Sequence, residues 1–592
     1  MTLLNNNRSI RLGTVILAIL IVLIAWMRLA DLGRNPLTDS EAVHALTAAS
    51  TTPDASPFWD IDGVAAPPSA SYYVFTTMIF QFFSPSDATA RVVSALAGIV
   101  LVLSPLILRK RIGTAHSLIA VLVLAIATSA WTIARTADGS ALAAAGLALF
   151  VFLAWSADSL EDRRVRLLLA AGALGFALAS GPIVMQGLFG LLIAFGLSRI
   201  LLSRDRKPFE EFRRLFAIKS GVWVSLVVML LVASGVGFYW NGLAGLGESI
   251  TEWLHGWTEP GTQSTITYAV MLLAYEPLFV VMGIVGAVLA WRRKEPLGQA
   301  ASLWALGSLF SGLVYPARCA AEIIFVVLPL ALLVAYAISV LIERIARRGV
   351  GLELVGLTGV LLVLTASAWI SLIGYANGYI LEYTPSDPGL ILLVFSALII
   401  MAVSLLLFFG LGWSWGVVAD TLGISATLVL TAITLSAAWR LNFTPLATSA
   451  RELWRPEVTT NGVRLLTDTL DNASLAYAGR TDEIAVEVQS EINPALAWAL
   501  RGYNRAGGEF NPLADPPPAV LALESNSAIN LLTDYMGQGM ALKERRGWVG
   551  SLPPDLLRWF VLRSAPTELE RWVLWVRMDI ATLGDVGLTD FE

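Results

Sequence analysis

Two carboxylates and an imidazole fall within six positions of the stretch NPLTDSEAVHALTAAS, residues 35–50. Asp39 stands where a helix N-cap would, and Glu41 and His44, three positions apart on a helix, share a face. A carboxylate at the edge of an apolar segment can accept a proton from a substrate hydroxyl. The same residues can instead be a cap and a first-turn acid favoured by the helix dipole, beside a solvated histidine. Spacing alone leaves both interpretations open.

Cationic residues stand in the other polar stretches that border apolar runs, and they are Arg34, Arg135, Arg318 and His255. Guanidinium groups bind phosphate through several N–H donors, which makes the arginines candidates for an anionic ligand. Arginines at the end of an apolar helix also extend to lipid headgroups without any further role. Asp138, three residues after Arg135, is placed to orient that arginine. One interpretation is a site assembled from separate outer loops, and the other is ordinary helix ends.

Glu276 differs from these residues because it lies about ten residues inside an apolar run, directly before Pro277. A carboxylate in the middle of a membrane segment is a functional residue by default, although a helix kink beside a hydrogen-bonded acid explains it equally well. The single cysteine, Cys319, excludes an internal disulfide and a cysteine-based zinc cluster. The sequence also lacks HExxH, GxGxxG, Walker and GxSxG motifs, so we expect no metal site or nucleotide site of these classes.

The elements that carry these residues follow from composition, since 56% of the chain is hydrophobic, 14% is charged and the mean hydropathy is +0.69. Apolar runs of about 20 residues recur, and each is long enough to cross a bilayer. Alternating segments typical of a β-barrel are absent, which leaves a helical bundle. We predict a polytopic α-helical membrane protein with about 13 transmembrane helices, at about 12–30, 90–108, 115–134, 138–156, 166–180, 182–201, 220–238, 266–290, 298–315, 321–342, 352–374, 388–409 and 412–438.

Every second connection between the predicted spans is rich in Lys and Arg, and connections of this kind stay in the cytoplasm. Arg8 and Arg11 precede the first span, which we interpret as an uncleaved anchor in the cell membrane. The N-terminus is therefore predicted to be cytoplasmic and residues 440–592 extracytoplasmic. If the apolar stretch 69–83 crossed the membrane, every later connection would lie on the opposite side from the one predicted. Its length of 15 residues predicts an interfacial or re-entrant helix instead.

The character of the sequence changes after the last predicted span, where short strand patterns alternate with helical patterns. The strands are predicted at 483–489, 519–525, 539–548 and 571–579, and the helices at 462–472, 494–503 and 530–536. This alternation predicts a small α/β domain with a largely parallel sheet. The chain thus divides into a transmembrane domain, 1–439, with a first outer loop at 31–88, and an extracytoplasmic α/β domain, 440–592. An acceptor-binding cap, a structural lid and a partner-docking module are equally compatible with the second domain.

Several blocks of the first domain resemble one family of enzymes. They are RLADLGRNPLTDSEAVHAL (28–46), PSDATARVVSALAGIVLVLSPLILRKRIG (85–113), SAWTIARTADGSALAAAGLALF (129–150), TYAVMLLAYEPLFVVMGIVGAVLA (267–290) and YPARCAAEIIFVVLPLALLVAYAI (315–338). In order and character they are similar to membrane glycosyltransferases of the C-type fold, the protein-mannosyltransferase-like enzymes that include aminoarabinose–lipid A transferases. The resemblance covers most of residues 1–440, and it is most specific at the first outer loop and at the Arg-x-x-Asp turn.

The resemblance implies transfer of a sugar from a polyprenyl-phosphate-linked donor to a protein, lipid or glycan acceptor, on the outer face and with inversion at the sugar. It implies Asp39 as the catalytic base and Glu41 as a second acid that positions substrate or holds a divalent cation. For the donor phosphate it indicates Arg135, Arg318 and Arg34. Further candidates for substrate contacts are His44, His255 and Glu276. No cofactor beyond the divalent cation is implied, and the overall charge of −5 gives no indication of nucleic acid.

The sequence departs from the family pattern at the catalytic position. When the segments are aligned on EA-x-H-A, the family's aspartate falls on Ser40, and Asp39 lies one residue earlier. One step along a helix turns a side chain by about 100°. The proline motif of the first loop is also altered, to GVAAPPSASYY, residues 63–73. A catalytically degenerate relative that serves as a membrane scaffold or complex subunit is therefore the alternative function, and a transporter is a third.

Overall fold

Helices dominate the chain up to Phe443 in the computed structural model, which describes residues 3–50, 69–156, 160–202, 219–261, 263–378, 388–444, 449–489, 491–505, 516–526 and 534–582. Seven of the described helices are long and apolar enough to cross a membrane, and a bent pair raises the number to eight. Four shorter apolar helices accompany them. The prediction of a helical integral membrane protein is confirmed, whereas the total of about 13 crossings stays a prediction.

The described residues of this region form a succession of α-helices. They are α1 (Leu3–Leu29), α2 (Asp39–Ala49), α3 (Ala70–Phe82), α4 (Asp87–Leu103), α5 (Arg109–Ile112), α6 (Thr114–Ile126), α7 (Thr128–Ile133), α8 (Ser140–Trp155), α9 (Leu160–Leu178), α10 (Ile183–Leu201), α11 (Lys219–Ala233), α12 (Asn241–His255), α13 (Thr265–Tyr275), α14 (Pro277–Arg293), α15 (Pro296–Val314), α16 (Ile323–Arg348), α17 (Leu352–Asn377), α18 (Pro388–Gly412) and α19 (Trp415–Phe443). Two short 3₁₀ helices, Ser104–Leu108 and Ala320–Glu322, extend α4 and precede α16.

Two of the predicted spans are not continuous helices. The span predicted at 115–134 is divided into α6 and α7 at Ala127, whose ψ of 126° is not helical. The span predicted at 266–290 consists of α13 and α14, which meet at an angle of 86°. At this break the Thr128 hydroxyl donates a hydrogen bond to the Tyr275 carbonyl, at 2.8 Å. The prediction of one continuous span at 115–134 is wrong, whereas the break at Glu276 and Pro277 agrees with the kink interpretation. At both breaks, side chains of one interrupted helix satisfy the backbone of the other.

The first outer helix, α2, begins with a reciprocal cap. Thr38 is its N-cap, and the Glu41 carboxylate accepts a hydrogen bond from the Thr38 backbone N–H at 3.0 Å. The helix predicted at 69–83 is α3, and its Tyr72 hydroxyl donates to the carbonyl of Ala90 in α4 at 2.7 Å. Apolar side chains of α2, α3 and α4 share one buried cluster, so the first outer loop is packed onto the head of α4. The altered proline motif at 63–73 lies mostly outside the described residues.

A mixed six-stranded sheet follows α19. Its strands are β1 (Glu457–Thr459), β2 (Ala485–Val488), β3 (Asn504–Arg505), β4 (Ala519–Leu523), β5 (Tyr535–Arg546) and β6 (Thr567–Arg577), in the order β1-β5-β6-β4-β2-β3. The accompanying helices are α20 (Gly462–Ala478), α21 (Pro494–Ala499), α22 (Leu556–Leu562) and α23 (Met578–Ala581). The four predicted strands and two of the three predicted helices are confirmed. The helix predicted at 530–536 falls partly outside the described residues, and its last positions belong to β5.

The prediction of a largely parallel sheet is wrong. β2 pairs in parallel with β3 and β4, but β1 with β5, β5 with β6 and β4 with β6 are antiparallel. The longest pairing joins β5 directly to β6, with Arg546 opposite Thr567. The helix between these strands, α22, does not cross the sheet. It was not among the predicted helices, and it packs against α17 of the membrane-spanning region. The alternation of strand and helix patterns along the chain indicated parallel pairings that the sheet does not have around β5 and β6.

Candidate active site

A buried ion pair holds helix α2 to helix α4. The Arg91 guanidinium donates two hydrogen bonds to the Glu41 carboxylate, from Nε at 2.8 Å and from Nη2 at 2.9 Å. Both residues are nearly inaccessible, with Glu41 1% and Arg91 5% exposed. A two-point contact of this kind is the strongest geometry available to a guanidinium and a carboxylate. α2 is therefore held to α4 in one fixed orientation.

The remaining lone pairs of Glu41 are also used. Oε1 accepts from the backbone N–H of Ala137 at 2.9 Å, and Oε2 accepts from the N–H and the hydroxyl of Thr38. With the two bonds from Arg91, the carboxylate accepts five hydrogen bonds, which exceeds its roughly four lone-pair positions. Burial alone would raise the pKa of Glu41, but Arg91 and these donors lower it to about 2. The described geometry leaves this carboxylate no lone pair for a cation or a substrate.

Asp39 has different partners, which come from the sheet region. Its Oδ2 accepts from the Lys543 ammonium at 2.5 Å, and its Oδ1 accepts from the backbone N–H of Ala495 at 3.1 Å. Lys543 lies on β5 and also contacts the Glu457 carboxylate at 3.0 Å. Burial lowers the pKa of Lys543, but its hydrogen bonds to the Asp39 and Glu457 carboxylates outweigh burial and raise the pKa. Each Asp39 oxygen keeps one lone pair, so the carboxylate can still accept a substrate O–H.

Arg135 lies in the turn between α7 and α8, beside the Glu41 ion pair. Its guanidinium donates to the carbonyls of Arg28, Ala30 and Asp31, at 3.3, 2.6 and 3.0 Å. Three of its five N–H groups are thereby used, and two remain among the described residues. Burial and the nearby charge of Arg91 lower the pKa of Arg135 to about 10. This arginine can therefore fix the end of α1 and still donate to an anion.

A third guanidinium, that of Arg455, completes a cationic group around Glu41. Arg455 is half-buried in the segment that leads from α19 to β1. Burial lowers its pKa, the Glu41 carboxylate acts to raise it, and the Arg91 charge acts to lower it further. Arg135 is also within electrostatic reach of Arg455. The sequence analysis did not select Arg91 or Arg455 as site residues. Arg91, Arg135 and Arg455 thus lie within electrostatic reach of one another, and we refer to them with Glu41 as the arginine cluster.

Asp138 does not orient Arg135. Its two oxygens accept from the backbone N–H and the hydroxyl of Ser140 at 2.9 and 3.1 Å, which secures the first turn of α8. Burial raises the pKa of Asp138 to about 7, although the bonds from Ser140 act in the opposite direction. The Arg-x-x-Asp turn therefore presents Arg135 toward α1 and Asp138 toward its own following helix.

Arg318 lies in a separate place, between α15 and α16. Its guanidinium donates to the carbonyls of Gly312, Leu313 and Gln263 at 3.0, 3.2 and 3.2 Å. Burial lowers its pKa despite the nearby Glu322 carboxylate. In the described part of the chain, Asp39, Arg135 and Arg318 make no direct contact with one another. Asp39 and Arg135 lie on neighbouring elements, because Glu41 of α2 accepts from the Ala137 N–H in the turn that holds Arg135. Arg318 lies just beyond the C-terminal end of α15.

The other predicted residues are distributed over the surface and the interior. His255 is exposed at the last position of α12, and Arg34 is exposed before α2. Glu276 is fully buried at the junction of α13 and α14, where its Oε1 accepts from the Ser129 N–H at 2.6 Å. Its Oε2 has no hydrogen-bond partner among the described residues. The kink predicted at Pro277 is present, and the Glu276 carboxylate satisfies a backbone group at the break.

His44 packs against an aromatic ring rather than facing water. Its imidazole lies at 5.6 Å from the Tyr72 ring, edge to face, and burial lowers its pKa to about 4 although Glu41 acts to raise it. The unfolded chain then binds more protons than the folded chain between pH 6.5 and 4, so stability falls as the pH is lowered through this window. The shift corresponds to about 3 kcal/mol of the free energy of unfolding. We expect the His44→Phe variant to lose less stability than the wild type when the pH is lowered from 7.5 to 4.5. Thermal unfolding at the two pH values measures this difference.

The exposed histidine provides the matched control for this prediction. His255→Gln should leave the pH dependence of the wild-type chain unchanged, because His255 is exposed. Other groups, Glu41 among them, contribute a pH dependence that both variants share. The same decline in stability between pH 7.5 and 4.5 for His44→Phe and wild type would contradict the assignment to His44.

Comparison with known structures defines the class of fold. No protein-family model matches the sequence, and no curated protein matches it by sequence. The chain has the fold of the C-type membrane glycosyltransferases, and the resemblance inferred from the sequence is confirmed at the level of the fold. The aminoarabinose transferase ArnT from Cupriavidus metallidurans, in the apo state, aligns with a TM-score of 0.54 and 14% identity over 97% of this chain and 99% of that chain.

The same enzyme bound to undecaprenyl phosphate aligns with a TM-score of 0.55 and 13% identity, over 97% of this chain and 99% of that chain. An oligosaccharyltransferase from Archaeoglobus fulgidus aligns more loosely, with a TM-score of 0.38 and 12% identity over 85% of this chain and 68% of that chain. The ArnT alignments extend over nearly the whole of both chains. The likeness therefore includes the sheet region as well as the membrane-spanning helices.

Proposed function

We propose that this protein is a membrane glycosyltransferase that moves a sugar from a polyprenyl-phosphate-linked donor to a hydroxyl-bearing acceptor on the outer face. In this proposal the chain crosses the membrane about 13 times, with a cytoplasmic N-terminus and residues 440–592 outside. The acceptor is a protein, a lipid or a glycan. The C-type fold supports the general kind of protein, and ArnT with undecaprenyl phosphate shows that this fold can hold such a lipid.

The observation that carries the proposal is the arginine cluster next to Asp39. Arg91 and Arg455 lie within electrostatic reach of Glu41, and Arg135 lies within reach of both arginines and of Asp31. Arg135 keeps two N–H groups that no described residue accepts, and guanidinium donors of this kind favour an anionic ligand such as phosphate. Asp39, the carboxylate proposed as the base, is separated from Glu41 by one residue at the start of α2.

The chemistry assigned to Asp39 is general-base catalysis. The acceptor O–H donates to the free lone pair of Asp39, and its oxygen forms a bond to the anomeric carbon of the sugar. The bond between that carbon and the phosphate oxygen breaks, and polyprenyl phosphate leaves with the electron pair. The Lys543 ammonium donates to Oδ2 of Asp39 and holds that oxygen in place. The Ala495 N–H fixes the second oxygen of the carboxylate, which orients the group.

The remaining candidates take supporting roles in this proposal. Arg135 contributes its two unused N–H groups to the donor phosphate. Arg34 and Arg318 are proposed as further cationic contacts for the phosphate of the lipid-linked donor. His44, His255 and Glu276 are proposed only as substrate contacts. No divalent cation is placed at Glu41, because its lone pairs are occupied by protein donors. Among the described residues no group of three or more His, Cys, Asp or Glu side chains is arranged to hold a metal ion.

The test is turnover of a lipid-linked sugar by the full chain in proteoliposomes. A panel of polyprenyl-phosphate sugars with labelled sugar headgroups is incubated with candidate acceptors, and free polyprenyl phosphate and labelled product are measured together. We expect both to appear in equal amounts for at least one donor. Release of polyprenyl phosphate without labelled product would indicate hydrolysis, and no turnover with any donor would contradict the proposal.

The alternative is a scaffold that keeps the fold without the reaction. Ser40 occupies the position of the family's aspartate, and Asp39 and Glu41 both hold protein partners. In this case the arginine cluster and Lys543 serve only to fasten the outer loop to the sheet region. Stable co-purification with other membrane subunits, together with absence of turnover, would support this alternative.

A further inference from the structure

An apolar groove runs along the outside of the membrane-spanning region, away from the candidate active site. It lies between α17 and α19 and is closed at one end by α22, with a cavity volume of about 480 Å³. Leu362, Ala366, Leu428 and Ile433 are among its lining residues, and Leu428 is 51% exposed. The volume lies within the range of about 300–1,000 Å³ that is usual for ligand sites. Because both helices qualify as membrane spans, the groove is accessible from the lipid phase.

Two guanidiniums line the closed end of this groove. Arg440 is near the end of α19, and its guanidinium has no hydrogen bond or ion pair with the described part of the chain. Arg563 directly follows α22, is 5% exposed, and has an Nη1 without a hydrogen-bond partner among the described residues. A buried donor left unsatisfied in this way is unfavourable unless a ligand or water fills the position. The groove therefore ends in a built site with unused donors.

The charge at this end matches a singly charged headgroup. Arg440 and Arg563 each carry one positive charge, and the Glu452 carboxylate lies 3.7 Å from Arg563 Nη1, outside hydrogen-bond distance. The Tyr275 hydroxyl already donates to Glu452 at 2.5 Å. The sum of the three charges is one positive unit. A phosphodiester carries one negative charge, whereas a phosphomonoester carries up to two and would leave the site negative.

We propose that this groove binds an anionic phospholipid of the surrounding bilayer, with one acyl chain between α17 and α19 and the phosphodiester on Arg440 and Arg563. Trp369 lines the groove and contacts Phe560 of α22, edge to face, with ring centroids 6.1 Å apart. Aromatic side chains in such places are typical of the headgroup level. The lipid then contacts both the last membrane span and the sheet region, and it fastens α22 to the bilayer surface.

A phospholipid fits this groove better than a substrate does, because none of Asp39, Glu41, Arg135 and Arg318 lines it. The inference therefore stands independently of the proposed glycosyltransferase activity. A chain that fails to transfer sugar can still retain the lipid, and loss of the lipid leaves the catalytic proposal to be tested separately.

The test measures which lipids the full chain retains. The protein is placed in nanodiscs with equal phosphatidylglycerol, phosphatidylcholine and polyprenyl phosphate, extracted again in mild detergent and examined by native mass spectrometry. We expect retention of phosphatidylglycerol over the zwitterionic phosphatidylcholine. Arg440→Gln should weaken that retention about tenfold, since a charge-assisted hydrogen bond is worth about 1.5 kcal/mol or more.

Two further variants keep the test decisive. Arg293→Gln changes an exposed arginine in the last turn of α14, away from the groove, and should leave retention unchanged. Ala432→Trp fills the groove between α17 and α19 and should abolish retention while the arginines remain. Equal retention of phosphatidylcholine, unchanged retention in Arg440→Gln, or preference for polyprenyl phosphate would each overturn the proposal.

Discussion

Replacing Asp39 by asparagine is expected to slow sugar transfer by about 10²–10⁴-fold, which is the usual contribution of a general base. Asparagine keeps the shape of the side chain and its acceptor oxygen for the Ala495 N–H, but it cannot take the proton of the acceptor hydroxyl. The loss should appear in kcat, with little change in the KM for the lipid-linked donor, because donor binding is assigned to the arginines. Release of polyprenyl phosphate in proteoliposomes measures both constants.

Asp39→Asn also breaks the ion pair with Lys543, so a matched variant must separate structure from chemistry. Lys543→Met removes the same ion pair and leaves the Asp39 carboxylate in place. If Asp39 acts as the base, Lys543→Met should retain far more activity than Asp39→Asn at a pH where the carboxylate is ionised. Equal loss in both variants, accompanied by equal loss of thermal stability, would reduce Asp39 to a structural contact with β5.

Replacing Glu41 by glutamine is expected to lower the free energy of unfolding by about 3 kcal/mol or more at pH 7, the usual cost of breaking a buried ion pair. The change leaves Arg91 buried with one charge unpaired and presents an NH₂ group to donors such as the Ala137 N–H. The pKa of Glu41 is lowered to about 2, so its ion pair contributes fully above pH 4.5 and is lost as the pH falls toward 2. Thermal unfolding in detergent at pH 7 measures the difference.

The neighbouring residue supplies the control for Glu41→Gln. Ser40 is exposed and its hydroxyl contacts only that of Thr38, at 3.2 Å, so Ser40→Ala should change stability by no more than about 0.5 kcal/mol. A Glu41→Gln chain as stable as Ser40→Ala would show that the pair between Glu41 and Arg91 does not hold α2 in place. Retained sugar transfer in a folded Glu41→Gln chain would support the structural role assigned to Glu41.

Local patterns predicted much of this architecture. Apolar runs predicted the long helices, because a helix that faces lipid must be apolar along most of its length. The four main strands and α20 were also predicted, since their alternation is local. The helix break at Ala127 was not predicted, because a neighbouring segment satisfies the interrupted backbone, whereas Pro277 indicated the break at Glu276. The antiparallel pairing of β5 with β6 was missed because an alternation of strand and helix patterns does not show which strands are neighbours in the sheet.

The sequence by itself determined that this chain is a helical membrane protein with a sheet region, and that Asp39, Glu41 and Arg135 stand beside apolar helix ends. Only the tertiary structure decided what each of them does, because their partners are distant in sequence. Glu41 meets Arg91 50 positions away, and Asp39 meets Lys543 504 positions away. Burial and pairing with Arg91 make the Glu41 carboxylate a structural support. The Asp39 carboxylate, in contrast, keeps one free lone pair on each oxygen. No local periodicity carries that distinction, since it depends on which distant donors the fold brings to each carboxylate.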